Sequence, residues 1–359
     1  MKYFLTLIQL WVGFLSICAS YPKANIWIIP SVESPQVYRN YAQTSKVHLE
    51  MARGEVEHIQ LVFPSKVNEE YRFTFDRYLK GIQISARELK KMNGYYDALV
   101  PFKNQLKCTD TLTAVWITVQ CPSRVPVGKY HQTIKIEGSK HFTIQLDYNV
   151  HHTTIPLKSS IPITVGVENR CMTEGLNDKE ADKERQRWVD FVLSYRMTPV
   201  FGTQITPERW QYEHSFSPWA WNDKRSIRLL NDRRYSCYML PFFTLSENEL
   251  ASLLCNIQKK GKLKESLFYI WDEPAYMEDY EQIKRKVNII RKYASDARIL
   301  TTFFCGPRNG PRKGDLYAVF DYLKHHIHVA TISLAPCKGN EEEVQHIRYK
   351  VPEGIDWWS

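Results

Sequence analysis

No CxxC pair, no HExxH motif and no histidine-rich cluster occurs in the 359 residues, so nothing in them has the ligand spacing of a metal site, and neither a metal nor a cofactor is expected. Basic residues outnumber acidic ones, 48 to 39, but the two signs are interspersed. The chain lacks the basic blocks interleaved with aromatics that follow a nucleic-acid backbone, and the excess charge reads as solvated surface with no nucleic-acid partner. Beyond the first twenty residues, no apolar run is long enough to cross a bilayer. What the chain does have is apolar mass. With 43% hydrophobic and 13% aromatic residues over a length greater than one ordinary domain needs, it predicts two globular domains with substantial cores.

Lys2 is followed by the apolar stretch Tyr3 to Ile17 and then by the small residues Cys18-Ala19-Ser20. That pattern is a secretory signal peptide over residues 1–20, cleaved near Ser20, and it predicts a secreted or periplasmic protein. Leu15-Ser16-Ile17-Cys18 also resembles a lipobox, which would anchor the protein at the cell surface through Cys18, although Ile17 is bulkier than the small residue usual there. Export permits disulfides. Of eight cysteines, Cys18 lies in the leader and seven remain, an odd number. Cys108 and Cys121 bracket the strand-like Leu112 to Gln120 and are the expected pair.

Residues 21–156 read as short alternating strands separated by turn residues, the mark of an antiparallel β-sandwich. After the proline-bearing linker Ile155 to Pro162 the rhythm becomes strand, helix, strand. Strands are expected at Ile163 to Val167, Pro199 to Gly202, Tyr238 to Phe242, Ser266 to Trp271, Arg298 to Phe304 and His328 to Leu334, with Ile355 to Trp358 starting a seventh. Trp188, Phe191, Val192 and Tyr195 recur at helical spacing and read as the core face of the first helix. Ser246 and Glu249 form a capping box for a helix burying Leu250, Leu253, Leu254 and Ile257. Tyr280, Ile283, Val287 and Ile290 are the core face of the helix after the fourth strand. Repeated units of this kind predict a (β/α) TIM-type barrel over residues 157–359, one that lacks its last strands, since closure takes eight.

The fourth strand carries the chemistry. Ser266 to Trp271 is apolar enough to be buried, and it ends on Asp272-Glu273-Pro274. Two adjacent acids thus sit at the carboxyl end of a strand, the active-site end of such a barrel. The plainer alternative is that one of them caps a helix running from about Pro274 to Tyr293.

Three stretches carry a family resemblance: Ala52-Arg53-Gly54-Glu55 leading to Gln60-Leu61-Val62, then Pro126-Val127-Gly128-Lys129-Tyr130, then Tyr269 to Pro274. In that order and spacing the chain resembles glycoside hydrolase family 123, over nearly all of its mature length. The resemblance implies a secreted enzyme that removes β-linked N-acetylgalactosamine from a glycan or glycolipid by a retaining, substrate-assisted mechanism. Asp272 would orient the 2-acetamido group and Glu273 would be the general acid/base. The spacing is compatible with that scheme, because neighbouring residues do not easily span a sugar ring as a separate nucleophile and acid must. Glu168, ending the first strand, leaves a conventional scheme open. Trp219 and Trp221 are candidate platforms for a sugar face, and His214 and Tyr276 candidate hydroxyl partners, each with a simple packing role as the alternative. Asn169, Arg170 and Gln204 are weaker candidates, and Trp271 is expected to pack the wall. The competing reading is a non-catalytic carbohydrate-binding or cell-surface protein with an eroded barrel.

Overall fold

The computed structural model describes residues 25–76, 81–206, 211–304, 306–311, 313–332 and 341–358. The expected signal peptide, residues 1–20 with Cys18, lies outside the described residues. The chain divides between Pro156 and Leu157 into two compact units.

The first unit holds β1 (Trp27–Pro30), β2 (Lys46–Arg53), β3 (Val56–Pro64), β4 (Glu70–Phe75), β5 (Gln83–Met92), β6 (Tyr95–Pro101), β7 (Gln105–Lys107), β8 (Leu112–Gln120), β9 (Gly128–Glu137) and β10 (His141–Thr154). They form two five-stranded sheets, β1-β3-β8-β5-β6 and β2-β10-β9-β4-β7. Every pairing is antiparallel except β10 with β2. Alternation places Ile59, Leu61 and Phe63 of β3 and Val115, Ile117 and Val119 of β8 in one core with Ile134 and Ile136 of β9 and Ile144, Leu146 and Tyr148 of β10.

The turn motifs of this unit are backbone devices. Gly54 takes φ +84°, a left-handed value that favours glycine, and its N–H donates to the Cys121 carbonyl at 2.6 Å. The Tyr130 hydroxyl donates to the Pro126 carbonyl at 2.6 Å.

Cys108 and Cys121 are buried free thiols, which corrects the expected disulfide. Nine extended residues of β8 lie between them, and at about 3.3 Å per residue they hold the two ends roughly 30 Å apart, whereas a disulfide needs Cα atoms within about 7 Å.

The second unit begins with β11 (Thr164–Glu168), β12 (Thr198–Thr206) and β13 (Gln211–Ser215), a three-stranded sheet in which β11 and β12 are parallel and β13 returns antiparallel. A separate all-parallel sheet runs in chain order through β14 (Tyr238–Leu240), β15 (Ser266–Trp271), β16 (Arg298–Phe303), β17 (Val329–Ile332) and β18 (Asp356–Trp358). The described residues of this unit therefore form two open sheets, and the expected TIM-type barrel lacking its last strands is not shown among them. The strand that breaks the repeat is β13, which takes the antiparallel place beside β12; from its end, the Phe216 N–H reaches the Met239 carbonyl of β14 at 2.7 Å.

Helices cover one face of the parallel sheet. Helix Glu247–Lys259 carries the expected Ser246–Glu249 capping box and buries Leu250, Leu253, Leu254 and Ile257, and helix Met277–Tyr293 buries Tyr280, Ile283, Val287 and Ile290. On the opposite face, Met239, Leu267, Leu300 and Val329 form a smaller cluster with Cys237 and with Val200 of β12. Trp271 packs into the helix-side core.

Helix Asp178–Ser194 departs from expectation. Its core face is Ala181, Val189, Val192 and Leu193, while Trp188, Phe191 and Tyr195 are 37%, 52% and 53% exposed. Those three rings stack edge-on along the outside, with centroids 5.7 and 5.2 Å apart. Two apolar stripes share this helix about 100° apart, and periodicity alone does not say which one meets the sheet.

Gly138 follows β9, where an added Cβ would lie 2.6 Å from both the Glu70 carbonyl oxygen and the Tyr71 ring. Gly138→Ala is expected to destabilise the protein by about 1–3 kcal/mol, because backbone and a packed ring must move. Denaturant unfolding checks this, and an unchanged midpoint would show that the β9–β10 turn yields freely.

Candidate active site

Every residue of β15 is buried or half-buried, and exposure begins at Asp272 and Glu273. A register shift between Tyr269 and Trp271 marks a bulge just before them. Bulges re-aim the residues that follow. Glu273 takes φ +46°, a left-handed conformation that costs a non-glycine residue about 1–2 kcal/mol. Neither acid caps the next helix, which starts at Met277 rather than Pro274. Its first turn is satisfied by Asp279, whose Oδ2 accepts the N–H groups of Ala275 and Tyr276 at 2.9 Å, and by Asn309, which accepts that of Met277.

Two hydroxyls hold one oxygen of Asp272. Tyr269 donates to Oδ1 at 2.7 Å and Thr302, from the neighbouring β16, donates to the same oxygen at 2.8 Å. The Glu273 N–H in turn donates to Thr302 Oγ1 at 2.9 Å. Each hydroxyl has one proton. With both protons given to Asp272, the 3.0 Å approach of Tyr269 to Thr302 is the third side of a triangle rather than another hydrogen bond. Burial, and after it the charge of Asp272, raises the Tyr269 phenol far above its usual range, so it remains a donor. Asp272 Oδ2 and the carboxyl group of Glu273 take no partner among the described residues.

His214 of β13 stacks on Tyr269 with centroids 4.1 Å apart and planes 14° from parallel. Burial lowers its pKa to about 4, against a smaller opposing effect of the Asp272 charge. At neutral pH the ring is therefore uncharged, and it braces the tyrosine that holds Asp272. On the other face of β13, Glu213 accepts the Phe242 and Thr244 N–H groups and the Thr244 hydroxyl, at 2.7 to 2.9 Å, and fastens the loop after β14; burial raises its pKa.

The remaining candidates fare differently. Trp219 is 8% exposed, its Nε1–H donates to Asp182 at 2.9 Å, and the Arg225 guanidinium sits 4.6 Å from its ring centre, which corrects its expected role as a sugar platform. The ring is buried and the guanidinium takes one of its faces. Trp221 is half-buried against the same core. Tyr276 is 46% exposed, three residues beyond Glu273. Asn169 accepts from Arg185, and Arg170 lies in the short helix Asn169–Thr173. Sequence reasoning gave Tyr269 no role of its own and missed Thr302, an ordinary strand threonine whose place beside the acids depends on strand register.

No protein-family model matches the sequence, and no curated protein is similar to it. Among solved structures, the chain is similar to a family 123 glycoside hydrolase from Clostridium perfringens studied for glycolipid glycan hydrolysis, at 12% identity and a TM-score of 0.57 over 92% of this chain and 71% of that one. The likeness is one of fold. An FMN-binding β-glucuronidase from Facaelibacterium prausnitzii L2-6 aligns over 94% of this chain and 47% of its own, at 11% identity and a TM-score of 0.32, too distant to carry an argument.

The neutral His214 has a consequence for stability. Its pKa is lower folded than unfolded, so its contribution is complete above about pH 6.5 and is lost as the pH falls through about 4. Replacing His214 by phenylalanine, which keeps the stack on Tyr269 but cannot titrate, is expected to flatten the acid-side loss of unfolding free energy by on the order of 2–3 kcal/mol. Denaturant melts at pH 7, 5.5 and 4 measure this; parallel profiles for parent and variant would contradict it.

Proposed function

We propose that the protein is a glycoside hydrolase that removes β-linked N-acetylgalactosamine from a glycan or glycolipid, with retention and with the substrate's own acetamido oxygen as nucleophile. The observation that supports it most is the division of labour at the acid pair. One oxygen of Asp272 is fixed by two hydroxyls, while its other oxygen and the neighbouring Glu273 carboxyl group have no partner among the described residues. A carboxylate held through one oxygen offers the other in a fixed place, suited to accept a hydrogen bond from an acetamido N–H and to offset positive charge developing on that group. Glu273 protonates the leaving oxygen and then activates water against the cyclic intermediate. Adjacent acids suit this scheme better than one requiring two carboxylates on opposite sides of the ring. The fold shared with a family 123 enzyme agrees with the reading.

Residues 1–20 support secretion or a periplasmic location, with a lipid anchor through Cys18 as the alternative. The open sheets of the second unit favour the rival reading, a carbohydrate-binding protein without turnover.

Release of N-acetylgalactosamine from an aryl β-glycoside separates the two. Turnover should persist with chelator and fail on the matching galactoside that lacks the acetamido group. Glu273→Gln should lower kcat by roughly a hundred- to ten-thousand-fold and recover in part with a leaving group that needs no proton, whereas Asp272→Asn should not recover. Equal turnover of both glycosides would sink the mechanism.

Thr302 yields a second expectation. Its hydroxyl touches both acids, so Thr302→Val should cut kcat about ten- to a hundred-fold with little change in KM, and Thr302→Ser should restore it. Full activity in the valine variant would show that the triangle is not needed.

A further inference from the structure

Glu168, Gly202 and His214 form one row across the three-stranded sheet, because the register pairs Glu168 with Gly202 and Gly202 with His214. Paired residues project from the same face of a sheet. His214 stacks on Tyr269, which holds Asp272, so the row leads directly to the acid pair. Strands lie about 4.8 Å apart, which separates Glu168 from His214 by roughly 10 Å at the backbone. Between them Gly202 contributes no side chain.

The surroundings of that glycine are informative. A Cβ placed on Gly202 would meet the Tyr212 ring at 3.8 Å and Glu168 Oε2 at 3.9 Å, both ordinary contacts. The Glu168 carboxylate therefore leans over the glycine rather than away from it, and Tyr212 borders the same spot; its centroid lies 6.2 Å from that of His214. Glu168 is exposed and has no partner among the described residues, and His214 Nδ1 is buried without one. Bare backbone flanked by an unengaged carboxylate and an aromatic ring has the chemistry of a carbohydrate subsite. A carboxylate accepts hydrogen bonds from neighbouring ring hydroxyls, and the ring packs on C–H groups.

We propose that Glu168, Gly202 and Tyr212 form a hydroxyl-binding subsite for the sugar whose anomeric centre reaches Asp272 and Glu273. Glu168 binds substrate and is not a nucleophile. Gly202 keeps open the space the sugar edge occupies. The proposal rests on the glycosidase reading above.

The test is steady-state kinetics of the full chain on an aryl 2-acetamido-β-galactoside, together with calorimetric binding of free N-acetylgalactosamine. Glu168→Gln, Gly202→Ala and Gly202→Leu are compared with the parent and with Glu273→Gln, and each variant's unfolding midpoint is measured. Losing a hydrogen bond to a charged group should raise KM and Kd about tenfold or more in Glu168→Gln while kcat changes far less. Gly202→Leu should abolish binding without lowering the unfolding midpoint, and Gly202→Ala should weaken binding less than Gly202→Leu. A collapse of kcat at constant KM in Glu168→Gln, rescued by an added anionic nucleophile, would overturn the proposal by making Glu168 the covalent nucleophile. If Glu273→Gln is dead while Glu168→Gln and Gly202→Leu behave as the parent, the subsite falls and the glycosidase reading stands. A parent that neither turns over nor binds the sugar defeats both.

Discussion

A parallel strand covered on both faces can carry charge only where it ends, since an ionised carboxylate in its middle would have to be buried without water. In β15 that restriction accounts for the whole site. Leu267 belongs to the small cluster on one face of the sheet, Phe268 and Ile270 to the helix-side core, and the first residues free of both layers are Asp272 and Glu273. Next to them in space are Thr302 on the neighbouring β16, and His214 on β13 of the other sheet, through its stack with Tyr269. The candidate site is thus a product of sheet geometry, and its hydroxyl and imidazole groups tune what the strand end presents.

Features set by local rules were legible before the structure. The Ser246–Glu249 capping box, the core faces at Leu250 to Ile257 and at Tyr280 to Ile290, and the position of the acid pair follow from spacing along one segment. Features set by pairing between segments were not. The hairpin strand β13 lies where the sequence reads as an aromatic excursion, and with it went the correct setting of His214. Thr302 gains its role from a register shift in the adjacent strand. Trp219 has the composition of a ligand platform, but Asp182, far back in the sequence, takes its indole N–H and the nearby Arg225 covers its ring. Trp188, Phe191 and Tyr195 have perfect helical periodicity on the side of the helix away from the core.

The three stretches that carry the family resemblance also differ in kind. Two are turn devices of the sandwich, one built on the left-handed Gly54 and the other on the Tyr130 hydroxyl folded back to Pro126. They bear on how the chain folds. Only the stretch from Tyr269 to Pro274 holds the proposed catalytic acids, so the fold and the proposed activity rest on separate portions of the sequence.

Under the proposed mechanism, the backbone at Glu273 sets stability against activity. Glycine would adopt φ +46° without strain, and asparagine with less strain than glutamate, so these replacements relieve a cost that the acid imposes on the native state. Selection for heat resistance alone would therefore favour losing the carboxyl group, and a library enriched for thermal survivors would drift toward proteins without the proposed general acid/base. Engineering for robustness has to hold residue 273 fixed and seek its gains elsewhere in the chain.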